Sequence, residues 1–170
     1  MRLRPPATHG SRWGAERGFE SRRAVYLAVV RRVLNAVVKT HVALYRASRG
    51  RIGGRVRKGA PVLLLSTTGR KTGKQRTTPL LYLEDGGAYV VVASAGGARS
   101  HPAWYLNLRG SPTPAIQVEG RRFAVSAETS GPADRARLWP RLTQMWPQYD
   151  EYQAKTKREI PVVILTPSAT

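Results

Sequence analysis

A short basic loop is the first stretch whose residue types could do chemistry. The loop Thr68 to Gln75 (TGRKTGKQ) lies between two apolar runs, Pro61 to Leu65 and Leu80 to Leu83, that are typical of strands. Arginine can grip a phosphate or carboxylate with two hydrogen bonds, and lysine acts as a point charge. The GxxxxGK(S/T) spacing of a triphosphate loop is absent. We therefore predict an anion-binding loop, and the alternative is an exposed basic hairpin turn.

A second loop, Ser94 to Gly97 (SAGG), is built from small residues. Its backbone N–H groups are unobstructed by side chains, which suits an anion or a flat ring, although an ordinary strand-to-helix turn would have the same composition. A short helical segment follows at 102–109, and it carries Trp104 and Asn107. Aromatic residues in such a segment most often belong to the core.

Three aromatic residues, Trp146, Tyr149 and Tyr152, recur at a spacing of three on the polar segment 147–159 and just before it. This spacing places an indole and two phenols on one helical face. Because the segment is otherwise polar, we expect the three rings to be exposed and to stack on a planar ligand, with the hydroxyl groups available as hydrogen-bond donors.

The elements that must position these residues are mostly strands. Tight turns at 85–87 and 119–120 predict hairpins, and Gly131-Pro132 predicts the start of a helix over 132–145. A small β-barrel with helices packed outside fits this pattern, so the fold class is α+β and mainly β. The predicted strands are 61–67, 76–84, 88–94, 113–119, 121–128 and 161–166.

The N-terminal third carries most of a net charge of +19. Residues 1–58 hold 15 basic and 2 acidic side chains, and we expect an unstructured segment over 1–19, a basic amphipathic helix over 20–47 capped by Ser21, and a linker over 48–60. The apolar stripe of the helix could pack on the rest of the domain or lie in a membrane interface. The stripe consists of Leu27, Val30, Leu34, Val38 and Val42.

Several kinds of site are disfavoured by composition. The chain has no cysteine and only three scattered histidines, so a protein-built transition-metal site is not expected. No Ser–His–Asp or paired-carboxylate arrangement can be read from the motifs, which disfavours hydrolysis.

Three motifs together carry a family resemblance. The stretches TTGRKTGKQRTTPLLY, VVASAGGARSHPAWYLNL and WPQYDEYQAKTKREIPVVIL resemble the deazaflavin-dependent nitroreductase family, over about residues 60–167. These enzymes are split β-barrels related to flavin-binding (FMN-binding-like) barrels. The resemblance implies a barrel domain over 59–170, preceded by the basic region 1–58, and hydride transfer from reduced coenzyme F420, an 8-hydroxy-5-deazaflavin, to a quinone, enone or nitro compound.

The resemblance also implies roles for individual residues. The cofactor's phosphate and glutamate tail would be held by Arg70, Lys71 and Arg76. The second motif, around the tail and ring, comprises Ser94, Gly96, Gly97, Trp104 and Asn107. The acceptor pocket would be walled by Trp146, Tyr149 and Tyr152, and the candidate proton donors are Tyr152, Tyr149 and Ser94. One departure is Ala95, where the family often has lysine; nearby Arg99 could substitute.

Two other classes of function compete with this interpretation. One is a non-catalytic binder of flavin, deazaflavin or haem on the same barrel. The other is a nucleic-acid-binding protein, which the charge favours, although no recognition motif is present and the charge lies mostly outside the barrel. We expect a cytoplasmic protein that acts on a small-molecule acceptor, with peripheral contact with the anionic inner face of the cell membrane.

Overall fold

The computed structural model describes residues 12–56, 59–110 and 113–168, and it divides the chain into two compact units, 1–39 and 40–170. The helices are α1 (Arg12–Ala47), α2 (Ala103–Leu108), α3 (Pro132–Met145) and α4 (Gln148–Ala154). The strands are β1 (Val62–Thr68), β2 (Gln75–Asp85), β3 (Ala88–Val92), β4 (Ala115–Val118), β5 (Arg121–Thr129) and β6 (Val162–Pro167).

The six strands form a closed antiparallel barrel in the order β1-β2-β3-β6-β5-β4. The hairpin between β2 and β3 turns through Gly86 and Gly87, which both have positive φ, as the two central residues of a type I′ turn must. All six predicted strands are present with ends within two residues of those expected, and the predicted fold class is confirmed.

Alternation along the strands divides the barrel's apolar residues between two faces. Leu63, Leu65, Val91 and Ile116 point into the barrel and are completely buried. Val62 and Leu64 point outward from β1, where Val42 and Tyr45 of α1 cover them. Strand β1 is therefore buried on both faces, which explains why its sequence is a continuous apolar run rather than an alternating one.

Helices α3 and α4 cover another part of the barrel's outer surface. Leu138 and Leu142, one helical turn apart on α3, are completely buried against Val90 and Val162. Helix α3 starts at Pro132, as predicted, because a proline at the first helical position loses no hydrogen bond.

The N-terminal helix differs from the prediction in its start. It begins at Arg12 rather than near residue 20, so the expectation of an unstructured segment is wrong for residues 12–19, and Ser21 lies inside the helix instead of capping it. Gly14 and Gly18 cost only about 1 kcal/mol each in a helix interior, which a long helix can absorb. The rest of that segment, 1–11, lies outside the described residues.

The described residues of the predicted apolar stripe of α1 differ in burial between the two units. In the second unit Val42 is buried, whereas in the first unit Leu34 is 59% exposed and Val30 is half-buried. The side chain of Leu27 lies outside the described ones. Val38, also in the predicted stripe, is exposed, and further exposed apolar residues outside the stripe are Tyr26, Val29, Val33 and Val37. No helix within the described residues is long and apolar enough to cross a bilayer.

Tyr45 links the end of α1 to the barrel. Its ring is completely buried, and its hydroxyl group donates a hydrogen bond to the carbonyl of Val62 (3.0 Å) and accepts one from the backbone N–H of Glu119 (2.8 Å). One side chain thus joins α1, β1 and the turn between β4 and β5.

We expect Tyr45→Phe to lower the free energy of unfolding by about 1–3 kcal/mol, because the N–H of Glu119 and the carbonyl of Val62 lose their hydroxyl partner. Chemical denaturation of the full chain measures this change. Tyr26→Phe, at a position 68% exposed, is the matched control and should leave stability unchanged. Equal effects of the two substitutions would contradict the role assigned to Tyr45.

Candidate functional site at one end of the barrel

The antiparallel topology brings the two predicted binding loops to the same end of the barrel. The basic loop joins the end of β1 to the start of β2, and the small-residue loop follows the end of β3. Because β1 and β3 run in the same direction, both loops leave the barrel at one end. Helices α2 and α4 contact this end through β1 and through the small-residue loop, respectively.

The basic loop is a closed turn with its cations outside. The N–H of Gly69 donates to the carbonyl of Lys74 (2.9 Å), and the N–H of Gly73 donates to the carbonyl of Gly69 (2.8 Å). Arg70, Lys71 and Arg76 are exposed. All four ion pairs found within the described residues involve arginines of α3, so these loop cations have no carboxylate partner there.

Asn107 fixes the basic loop to α2. Its side chain is 6% exposed, and its Oδ1 accepts hydrogen bonds from the backbone N–H of Arg70 (3.2 Å) and from the Arg70 guanidinium (3.5 Å). Its Nδ2 donates to Oγ1 of the buried Thr67 (3.4 Å). Asn107 therefore positions the arginine that the sequence predicts as an anion ligand.

The small-residue loop has an unusual backbone. Ala95, Gly96 and Gly97 all have positive φ, of 48°, 64° and 82°, and form a short 3-10 turn after Ser94. Ala95 is a non-glycine residue in the left-handed region, a conformation that L side chains disfavour. A Cβ added to Gly96 would meet no atom within 4 Å, so the loop presents open space on this side.

Arg158 holds the small-residue loop, and sequence reasoning missed it. Its guanidinium donates hydrogen bonds to the backbone carbonyls of Ala98 (2.9 Å), Ser94 (2.8 Å) and Ala93 (3.3 Å). Burial lowers the pKa of Arg158 from its usual range. The only signal in the sequence is a basic residue just before the last strand, which does not show that it reaches residues 60 positions earlier.

Helix α4 packs directly against the small-residue loop. A Cβ at Gly97 would lie 2.7 Å from the carbonyl oxygen of Tyr152 and 2.9 Å from Cβ of Lys155. The structure therefore brings Ser94, Gly96, Gly97 and Tyr152 together, as the motifs predict. It also adds Lys155, whose ammonium group lies 5.6 Å from the centre of the Tyr152 ring.

The expectation of three exposed aromatic residues is wrong for Tyr149. This side chain is 5% exposed because α4 turns it onto the apolar cluster that contains Leu138, Leu142 and Ile160. Burial raises the pKa of the Tyr149 phenol well above its ordinary value. Trp146 and Tyr152 are half-buried beside the same cluster.

Trp104 lies in the barrel core. It is 7% exposed, and it packs edge-to-face on Tyr105 with 6.1 Å between the ring centres. Its burial agrees with the structural role that such aromatics most often have. Direct contact between Trp104 and a ligand stays a prediction.

Gly97→Ala should destabilise the protein more than Gly96→Ala. Both glycines have positive φ, so both substitutions strain the backbone by about 1 kcal/mol, but only the one at 97 drives a methyl group into the backbone of α4. Thermal unfolding of both variants measures the difference. Equal melting temperatures would contradict the close approach of α4 to Gly97.

Comparison with known proteins identifies the family of the chain. The model of the F420H(2)-dependent quinone reductase family matches residues 37–167. An F420H(2)-dependent quinone reductase of Mycobacterium tuberculosis is 46% identical over 133 residues, which cover 76% of this chain and 89% of the relative. A second M. tuberculosis protein, named as a putative F420H(2)-dependent quinone reductase, is 44% identical over 117 residues, which cover 69% of this chain and 98% of that protein.

A solved structure is similar as well. The structure of an F420-H2 dependent reductase (FDR-A) has 40% sequence identity and a TM-score of 0.57, and the match covers 62% of this chain and 93% of the other. The range matched by the family model contains the two loops, α2 and α4. The chain therefore belongs to the F420H(2)-dependent quinone reductase family.

Proposed function

We propose that this chain reduces a quinone with reduced coenzyme F420 bound at the barrel end that carries the two loops. Membership in the family makes the chain an oxidoreductase dependent on this cofactor. The observation that carries the assignment of the site is the meeting of the exposed cations of the basic loop, the open small-residue loop and Tyr152 of α4 at one end.

The residues at this end fit the cofactor. An anionic tail needs cations without carboxylate partners, which Arg70, Lys71 and Arg76 are within the described residues. A flat ring needs a surface without side chains, which the exposed backbone at Gly96 provides. When bound, reduced coenzyme F420 supplies the hydride, so the protein needs no acid–base pair of its own for that step.

Lys155 replaces the lysine that the family often has at the position of Ala95. The resemblance leads us to expect a lysine after Ser94 that contacts the tail. Lys155 lies against Gly97, so it brings an ammonium group to the same loop from α4. We assign to Lys155 the tail contact that Ala95 cannot make. Asn107 then acts as a positioning residue, because its amide is already committed to Arg70 and Thr67.

The acceptor side of the site is assigned to α4. The negative charge that develops on the acceptor oxygen needs a hydrogen-bond donor. Among the candidates, the half-buried Tyr152 lies beside the small-residue loop, whereas Tyr149 faces the core. We therefore assign the donor role to Tyr152, with Ser94 as a second donor and Trp146 as part of the pocket wall. Enones and nitro compounds, which also accept a hydride, are proposed as further acceptors.

Removing loop cations should weaken cofactor binding. We expect Lys71→Ala/Arg76→Ala to bind coenzyme F420 at least about tenfold more weakly, because each charge-assisted hydrogen bond contributes about 1.5–3 kcal/mol. The loss should be smaller for a tail-free deazaflavin, and flavin mononucleotide should bind less well than coenzyme F420 to the unaltered chain. Fluorescence titration measures all of these affinities.

The control for charge is Arg121→Ala/Arg122→Ala, which removes two exposed arginines at the start of β5, the opposite end of the barrel. It should leave coenzyme F420 affinity unchanged. Equal losses in the two double variants would mean that only overall charge matters, and equal affinity for tailed and tail-free cofactor would remove the loop cations from the site.

Tyr152→Phe should lower turnover with a quinone more than it weakens cofactor binding. A strong hydrogen bond to a developing oxyanion contributes about 2.7–4 kcal/mol, so a loss of up to about a hundredfold or more in kcat is expected. Tyr149→Phe should have a much smaller effect on kcat, since that phenol faces the core. The assignment fails if turnover is unchanged in Tyr152→Phe or falls mainly in Tyr149→Phe.

We further propose that the first unit attaches peripherally to an anionic membrane, where lipophilic quinones reside. The support is the exposed apolar face of α1, which includes Tyr26, Val33 and Val37. The exposed cations Arg32 and Lys39, which are seven residues apart and so share a face, lie on another side of the same helix. Each basic residue near an anionic surface contributes about 1 kcal/mol, within a Debye length of roughly 8 Å.

The membrane proposal predicts salt-sensitive sedimentation of the full chain with phosphatidylglycerol vesicles and little sedimentation with phosphatidylcholine. Val33→Ser/Val37→Ser should weaken partitioning by about tenfold or more, because it removes exposed apolar area that would enter the interface. Asn35→Ser/Ala43→Ser, at exposed positions outside that face, is the control. Equal partitioning of both variants, or no binding at low salt, would contradict the proposal.

A further inference from the structure

A concave site lies at the end of the barrel opposite to the two loops. The cleft has a volume of about 550 Å³, within the range of small-molecule sites. It lies where α1 ends, where β1 starts and where β4 turns into β5. Its polar lining residues are Arg49, Arg51, Arg55, Tyr45, Tyr82 and Glu119.

This cleft is separate from the site of the proposed function. Val62, at the start of β1, lines the cleft, and Thr68, at the end of the same strand, begins the basic loop. A strand advances about 3.3 Å per residue, so the two sites are about 20 Å apart. A ligand of the cleft would therefore occupy neither the basic loop nor the small-residue loop.

We propose that the cleft binds an organic phosphate, with the phosphate held by Arg49, Arg51 and Arg55 and the apolar part of the molecule against Pro61 and the Tyr82 ring. The three arginines are exposed and take part in none of the ion pairs of the described residues. Guanidinium groups match the geometry of phosphate oxygens with paired hydrogen bonds. Tyr45 and Tyr82, which also line the cleft, are both buried.

The backbone around the cleft is strained on both sides. Arg49 and Glu119 are non-glycine residues with positive φ, of 52° and 53°. They belong to segments in close contact, since a Cβ at Gly50 would lie 2.7 Å from Cα of Glu119. The N–H of Glu119 is bonded to the Tyr45 hydroxyl. Strain of this kind is concentrated at binding sites, where the surrounding structure maintains it.

Free carbonyl groups at the C-terminal end of a helix repel an anion. At the end of α1 this repulsion is reduced, because the last carbonyl groups are hydrogen-bonded. The carbonyls of Leu44, Tyr45 and Arg46 accept hydrogen bonds from the backbone N–H groups of Ser48, Gly50 and Arg49, respectively. Arg55 uses one guanidinium nitrogen to bind the carbonyl of Gly59 (2.9 Å), which orients the side chain and leaves its other donors available. Three arginines then face one carboxylate, Glu119, in the lining of the cleft.

The test is a titration of the isotope-labelled full chain with phenyl phosphate, followed by amide chemical shifts. We expect saturable shifts at 49–55 and 118–120, with smaller shifts for inorganic phosphate and none for benzyl alcohol. Arg51→Ala/Arg55→Ala should weaken binding of phenyl phosphate at least about tenfold. Arg99→Ala/Arg109→Ala, which removes the same charge at exposed positions far in sequence from the lining residues, should leave it unchanged.

Arg49→Gly provides a second variant that keeps the fold, because glycine adopts positive φ without strain. It should weaken phenyl phosphate binding while its melting temperature stays the same or rises. Shifts confined to 69–76 and 94–98, equal losses in the variant and its arginine control, or no saturation would each overturn the proposal.

A competition experiment distinguishes a lipid headgroup from a soluble phosphate ester as the ligand. Dihexanoyl phosphatidylglycerol, kept below its micelle concentration, should displace phenyl phosphate if the cleft accepts a lipid headgroup. A failure to compete, with phenyl phosphate still bound at 49–55, supports a soluble phosphate ester as the ligand. Both results support an organic-phosphate site, and cofactor affinity measured on Arg51→Ala/Arg55→Ala should be unchanged in either case.

Discussion

The antiparallel closure of the six-stranded barrel is the constraint on which both ends of the molecule depend. Closure requires β1 to pair with β2 along one edge and with β4 along the other. The barrel interior then buries one face of β1, and Val42 and Tyr45 of α1 cover the other. Because neighbouring strands alternate in direction, the loops after β1 and β3 must share one end. The turn between β4 and β5 must lie at the other end, beside the start of β1.

Two polar side chains, one buried and one half-buried, hold the two loops in place at one end of the barrel. Asn107 fixes the basic loop to α2, and Arg158 fixes the small-residue loop to the segment before β6. Arg158 acts through backbone carbonyls, and Asn107 holds the backbone N–H and the guanidinium of Arg70. The arrangement separates support from binding: the supporting groups are satisfied inside the protein, while Arg70, Lys71 and Arg76 are exposed.

Much of this could be predicted from the sequence, because strands, turns and loop chemistry are local properties. The apolar run of β1, the Gly86-Gly87 turn and the two binding loops are all visible in short windows. What could not be predicted depends on distant partners. Tyr149 belongs to a polar segment, but its face meets Leu138 and Ile160, and Arg158 reaches carbonyls about 60 residues earlier. The start of α1 at Arg12 could not be predicted, because Gly14 and Gly18 interrupt the helical pattern of the sequence there.

The cofactor is proposed to occupy the end of the barrel formed by the basic loop, the small-residue loop and α4. Amide hydrogen exchange of the full chain, measured with and without saturating coenzyme F420, tests this placement. Exchange is expected to slow at 69–76, 94–98 and 152–155 on binding and to stay unchanged at 49–55 and 118–120. Protection confined to 49–55 and 118–120 would instead place the cofactor at the opposite end of the barrel.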